Sequence, residues 1–225
     1  FPETDEVQRM SDDQDDGEVR GATAVAFSAD GRLAAAGNRA GNILVWDISK
    51  QRLLHTFHQE KEPADFLVCS LAFSPNASQL AAGNGEGLAA WDVVSGRKLW
   101  AVPRGGPVME LRYFADGLLV EGGGDPSPGR LRIWNTTGEE PELVKEWPHD
   151  RMIWSLAVSP DGRHLATIEN GSDTNSICLY DLKAPHTAPR VWPAETMLIF
   201  AVSFSDDGQT LLTAGLGWHI HMYSV

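Results

Sequence analysis

The sequence predicts an all-β fold assembled from five copies of one small antiparallel unit, and three observations predict it. The first is a hairpin phrase, clearest at 156–167, in which an alternating apolar strand enters a Pro160-Asp161-Gly162 turn and returns as a second strand. It recurs at 25–31, 71–76, 111–117 and 202–208. The second is an aromatic residue downstream of each hairpin, usually followed by a carboxylate: Trp46-Asp47, Trp91-Asp92, Trp134-Asn135, Tyr180-Asp181 and Tyr223-Ser224. The third is the spacing of those aromatics, 45, 43, 46 and 43 residues. A fixed period of that length marks a repeat array whose units bury their faces on one another.

Within the first unit the period-two pattern predicts strands at 24–28, 33–37, 43–46 and 52–57, each bounded by Gly, Asn or Asp. The second unit repeats them at 68–73, 79–82, 88–91 and 98–102, and the third at 108–113, 118–121, 131–134 and 143–147. The fourth reads 153–158, 164–168, 177–180 and 189–192. Four antiparallel strands per repeat make one blade of a β-propeller, so five blades are expected at about 21–58, 66–103, 106–148, 150–193 and 197–225. The fifth unit has strands at 199–204, 210–214 and 220–223 and then stops, without a fourth. Either residues 6–10 supply that strand and close a five-bladed ring, or the chain belongs to a larger ring. The fourth strands of the other units, with Leu53-Leu54, Leu99-Trp100, Leu143-Val144 and Val191-Trp192, are richer in apolar residues than Glu6 to Met10, which favours the larger ring.

Composition narrows the function classes. A formal net charge of −13 opposes a phosphate-binding surface, because nucleic-acid affinity comes largely from Lys and Arg, so neither nucleic acid nor an anionic membrane is an expected partner. Residues 1–20 hold Glu3, Asp5, Glu6, Asp12, Asp13, Asp15, Asp16 and Glu18 against Arg9 and Arg20, which reads as an acidic tail or linker. Asp12 to Gly17 has the alternate oxygen ligands of a calcium loop, but Thr23 stands where a bidentate Glu belongs, and the plain linker is the better reading. Cys69 and Cys178 fall on different strands and read as buried thiols. With no apolar span and carboxylates where a basic leader region would sit, a cytoplasmic setting is expected.

On these residues the chain resembles the WD-repeat (WD40) β-propellers over 20–225. The Trp46-Asp47 and Trp91-Asp92 dipeptides, the Phe-Ser-x-Asp-Gly hairpins and the period carry the resemblance. The family's Gly-His pair ahead of the inner strand is mostly missing; Pro148-His149 alone falls at the matching spacing. What the resemblance implies is a rigid scaffold for protein or peptide partners. It also implies a buried hydrogen-bond relay in the fourth blade, formed by His149, Thr167 and Asp173 with Tyr180 in place of Trp.

Catalytic chemistry is poorly represented. No Ser sits in a strand-to-helix elbow, and Gly122-Gly123-Gly124-Asp125 lacks the following helix that a phosphate loop needs, so a flexible loop is expected there. His219 and His221 share one strand face without a third ligand and are expected to pack. His55 and His58 close an outer strand and are expected in solvent. A metal-dependent propeller enzyme would gather carboxylates at one mouth of the channel. The residues just past the apolar entry of each inner strand are Thr23, Cys69, Met109, Trp154 and Phe200, with Glu110 the sole carboxylate beside them. No cofactor and no enzymatic activity are therefore expected. Met109, Trp154 and Phe200 fall at equivalent places in consecutive blades, near loops carrying Arg39, Arg104 and Arg151; apolar anchors rimmed by arginines suit a protein or peptide partner. The alternatives are burial of those side chains between blades, a propeller-type hydrolase or isomerase, and a sensory or regulatory segment of a larger signalling protein.

Overall fold

The computed structural model describes residues 21–58, 68–85, 87–103, 106–115, 117–124, 128–170, 175–194, 198–216 and 220–225, and every regular element among them is a strand. Blade one is the sheet β1 (Ala22–Phe27), β2 (Leu33–Asn38), β3 (Asn42–Asp47) and β4 (Arg52–His58), paired antiparallel in chain order. Blade two is β5 (Ser70–Phe73), β6 (Gln79–Gly83), β7 (Gly87–Asp92) and β8 (Lys98–Pro103). Blade three is β9 (Val108–Ala115), β10 (Leu118–Gly124), β11 (Gly129–Asn135) and β12 (Glu142–His149). Blade four is β13 (Ile153–Val158), β14 (His164–Glu169), β15 (Asn175–Asp181) and β16 (Arg190–Ala194). Blade five has three strands, β17 (Ile199–Phe204), β18 (Thr210–Gly215) and β19 (Ile220–Ser224). Residues 6–10 lie outside the described residues, as do the acidic loop at 12–17 and His219.

The recurrent hairpin is a hydrogen-bonded device. In blade four the Ser159 hydroxyl donates to Asp161 at 2.5 Å and accepts the His164 N–H at 2.8 Å, while Asp161 also accepts the Arg163 N–H at 3.0 Å. The same bonds link Ser28 to Asp30 and Ser205 to Asp207, and the turn closes on a glycine with φ of 69° at Gly31, 67° at Gly162 and 70° at Gly208. Such a φ is nearly free for glycine and costly for other residues, which is why the turn ends in Gly. Blade two departs from it, with Ala77 at φ 56°.

Inner strand packs on inner strand, β1 on β5, β5 on β9, β9 on β13 and β13 on β17. Each junction encloses its own apolar cluster. An outer-strand aromatic of one blade meets the third-strand aromatic of the next: Phe57 stacks on Trp91 at 5.2 Å, and Trp147 on Tyr180 and Trp192 on Tyr223 lie tilted at 5.3 Å. Trp100 and Trp134 share the remaining cluster. The blades are therefore held by nearest-neighbour interfaces, as in other repeat arrays. No packing of comparable extent joins β17 to β1 among the described residues. The faces at the two ends of the arc remain open, with Val25 and Phe27 exposed on blade one and Ile220 and Met222 on blade five.

Two expectations are corrected. Gly122, Gly123 and Gly124 lie inside β10 and not in a loop. Gly123 is pressed so closely to Pro107 that a Cβ would sit 2.1 Å from its carbonyl oxygen, so the glycine run admits the neighbouring backbone. His55 is not in solvent: its Nε2 lies 2.9 Å from the Val93 carbonyl of blade two and its ring stacks on Phe57 at 5.5 Å. Its partner His58 is exposed, with Nδ1 2.7 Å from Asn42 Oδ1.

Candidate functional site

A β-bulge recurs at the start of the inner strands. The register of β1 on β2 shifts between Ala22 and Ala24, that of β13 on β14 between Ile153 and Ser155, and that of β17 on β18 between Ile199 and Ala201. In β9 the shift falls between Val108 and Glu110, opposite Gly123 and Gly122. The extra residues are thus Thr23, Trp154, Phe200 and Met109. A bulge turns its unpaired residue out of the regular pleat and bends the strand, which re-aims a side chain toward the sheet edge. Among these four, Trp154 is 41% and Phe200 51% exposed, while Met109 is half-buried. Thr23 Oγ1 donates to the Val68 carbonyl at 2.7 Å and so bridges blades one and two.

Of the three arginines expected at the rim, Arg39 is exposed in the β2–β3 loop and Arg151 is half-buried between β12 and β13, where its charge acts on Glu169. Arg104 lies outside the described residues. Glu110 accepts from the Ser70 hydroxyl of the neighbouring inner strand at 3.2 Å and pairs with Arg112. Burial holds its carboxyl above the usual range, against the pull of Arg112 and Ser70. One carboxylate already paired with an arginine is a structural brace.

The expected relay of blade four takes a different route. His149 Nδ1 lies 2.6 Å from Glu169 Oε1, and the Tyr180 hydroxyl 3.0 Å from His149 Nε2. Cys178 Sγ donates to the same glutamate oxygen at 3.2 Å. Thr167 is fully buried beside Cys178 and Tyr180 and does not bridge His149, and Asp173 lies outside the described residues. The long side chain of Glu169 bridges directly to the imidazole. Burial alone would raise the Glu169 pKa, but the bond and charge of His149, with Cys178 and Arg151, bring it below the ordinary value. Burial and the Glu169 charge push the Cys178 thiol up to about 12.

Blade three holds a second buried polar cluster that the sequence reading missed. Glu121, 1% exposed, occupies the place of Thr167 in its sheet and accepts the Trp134 indole N–H at 2.7 Å. Arg130 Nε stands 3.4 Å and Arg132 3.8 Å from Glu121 Oε1; Arg130 also donates to the Gly106 carbonyl at 2.9 Å, and Arg132 pairs with Glu146. The signal was a lone glutamate in the apolar run Leu118 to Glu121 with alternate arginines on the facing strand.

Among the described residues no group of three His, Cys, Asp or Glu side chains is placed to hold a metal ion, and no helix is long and apolar enough to cross a membrane. At the far end of the axis a polar cleft lies between Ser74, Asn76, Gln79 and Thr136, but its hydroxyls are used within their own turns, Ser74 on Asn76 and Thr136 on the Gly117 carbonyl.

Comparison with known proteins agrees with this architecture. The family model described as WD domain, G-beta repeat matches residues 14–47 and 141–181. WD repeat-containing protein SL1-17 of Schistosoma mansoni is 29% identical over 172 residues, covering 76% of this chain and 54% of that protein. Target of rapamycin complex subunit wat1 of Schizosaccharomyces pombe is 24% identical over 168 residues, covering 71% and 51%. Small ribosomal subunit protein RACK1y of rice (Oryza sativa subsp. japonica) is 29% identical over 123 residues, covering 51% and 34%. The chain spans about half the length of the first two relatives. Among solved structures, Kuenenia stuttgartiensis hydrazine synthase superimposes with a TM-score of 0.74 at 17% identity, over 90% of this chain and 58% of that one, which is a likeness of fold. Repeat period, four-stranded blades and these matches converge on one architecture: the chain is a β-propeller array that carries WD repeats at 14–47 and 141–181 and is similar to WD-repeat proteins.

Proposed function

We propose that the chain is a non-catalytic interaction scaffold that holds a protein or peptide partner at the end of its axis where the inner strands begin. The observation that carries this reading is the recurrent bulge, which places Trp154 and Phe200 half in solvent on neighbouring inner strands. Large aromatics on a rigid frame give contact area at little entropic cost and are enriched among the residues that dominate binding energy. Met109 flanks them on β9, and Arg39 and Arg151 supply the polar rim. Relatives named as a target of rapamycin complex subunit and as a small ribosomal subunit protein suit a role in assemblies and a cytoplasmic setting. The acidic balance of the chain favours a protein partner over nucleic acid.

A random peptide library displayed on phage, selected against the 225-residue chain, tests the proposal. Recovered peptides are expected to lose about tenfold or more in affinity for Trp154→Ala and Phe200→Ala, the scale of an interface hot spot. They should bind Val94→Ala, an exposed residue elsewhere, as they bind the parent chain. Peptides that bind the Trp154→Ala/Phe200→Ala protein as tightly as the parent would refute this placement of the site.

A further inference from the structure

Trp154 follows a short connection, Asp150 to Met152, between the outer strand of blade three and the inner strand of blade four. Both ends of that connection are tied to one residue. At its start, His149 meets the Glu169 carboxylate at 2.6 Å. At its end, Ile153 is the ladder partner of Glu169 in the pairing of β13 with β14, one position before the bulged Trp154. Gly129 of β11 pairs with His149, and a Cβ on it would stand 1.7 Å from the Arg151 carbonyl oxygen, so the connection lies flat against the third strand of blade three.

The equivalent positions in the other blades, matched through the register of second on third strands, are Asn38, Asn84, Gly123 and Gly215. Asn38 accepts the N–H groups of Ala40 and Asn42, and Asn84 that of Gly87, so each braces its own loop. In blade four the residue at this position is a glutamate, and its side chain reaches back to His149 at the head of the connection before its inner strand.

We infer that Glu169 is a positioning residue, which clasps segment 149–153 through His149 and through its own backbone and so fixes the direction in which Arg151 and Trp154 are presented. This rests on the binding face proposed above and deepens it. The groups that face Glu169 are His149 from β12, Arg151 from the connection and Cys178 from β15, with Tyr180 behind the imidazole. Its carboxyl is held below the ordinary value, so the clasp is complete above the ordinary carboxylate range and opens as pH falls through the lowered folded value.

Hydrogen–deuterium exchange on the whole chain tests this without any partner, so the outcome is independent of the peptide selection. In Glu169→Gln, which removes the charge, amides 150–154 are expected to exchange about tenfold or more faster at neutral pH, the scale of one bond to a charged group. Blade two should be unchanged, and protection in the variant should no longer vary with pH. In the parent chain the same segment is expected to lose protection as pH falls below the ordinary carboxylate range, after correction for intrinsic rates, ahead of blade two. Parent-like protection of 150–154 in Glu169→Gln at neutral pH would overturn the inference, as would loss spread evenly over blades two and four. Should the variant fail to fold, a pH-independent 150–154 segment in the parent would overturn it equally.

Discussion

Glu121→Ala removes the acceptor at the centre of a buried network and tests whether that network holds blade three. The Trp134 indole N–H, on a residue 7% exposed, loses its acceptor at 2.7 Å; an unsatisfied buried donor costs about 1–3 kcal/mol. Arg130 and Arg132, with side chains 15% and 21% exposed, lose the carboxylate they share, and stripping one partner from a buried ion pair costs about 3–5 kcal/mol. Arg130 retains the Gly106 carbonyl and Arg132 retains Glu146, so these contributions overlap. A total loss of about 3–5 kcal/mol is expected, which for a domain of this size lowers the melting temperature by about 6–20 °C. Scanning calorimetry reads the change directly, with a urea melt followed by circular dichroism as a check on two-state behaviour. Glu121→Gln keeps an acceptor for the indole and is expected to cost less than Glu121→Ala. A Glu121→Ala loss below about 1 kcal/mol, the scale of ordinary surface substitutions, would refute the network.

Ala77→Gly relieves the left-handed conformation that glycine occupies in the matching turns; against the entropy glycine adds to the unfolded chain, a net gain of about 0.5–1 kcal/mol is expected in a urea melt. The Ser49 hydroxyl at 2.6 Å, aided by Lys50 and opposed by burial, holds the Asp47 pKa at about 2, from an ordinary 3.8. A depressed carboxylate stabilises the fold above its unfolded value, and that contribution fades as pH falls from about 4 toward 2. In Ser49→Ala a carbon-detected NMR titration should find Asp47 moved back toward 3.8; an unmoved value would assign the shift elsewhere. With its pKa at about 12, Cys178 should resist alkylation near pH 8 in the folded chain and react once urea unfolds it, as read by mass spectrometry.

The repeat was legible because its signals are local. Ser28, Ser159 and Ser205 each bond an aspartate two residues on, so the Ser-x-Asp-Gly phrase encodes its own turn. The aromatics at 46, 91, 134, 180 and 223 announce the period for the same reason. Sidedness was not legible. β10 is buried along nearly its whole length and β14 likewise, because a blade is covered on both faces. With both faces apolar, period two no longer tells which neighbour a side chain meets. Nothing in the sequence pattern therefore marks Glu121 and Glu169 as the acceptors of their blades. The glycine run at 122–124 reads as a loop in the sequence because its cause, the close approach of Pro107 just ahead of β9, is not local. The bulges that expose Trp154 and Phe200 are departures from register, visible only once the strands are paired.

The most direct test of the account uses protein grown with 5-fluorotryptophan and observed by fluorine NMR as a peptide from the phage selection is added. The chain has 8 tryptophans; Trp46, Trp91, Trp100 and Trp134 are buried in or between blades, whereas Trp154 stands at the start of an inner strand. Assigned by loss of its signal in Trp154→Phe, the Trp154 resonance is expected to shift most on binding, while those of the buried tryptophans hold still. A stationary Trp154 signal, with the response falling on Trp147 or Trp192 of the outer strands, would place the partner on the rim of the blades and contradict the account.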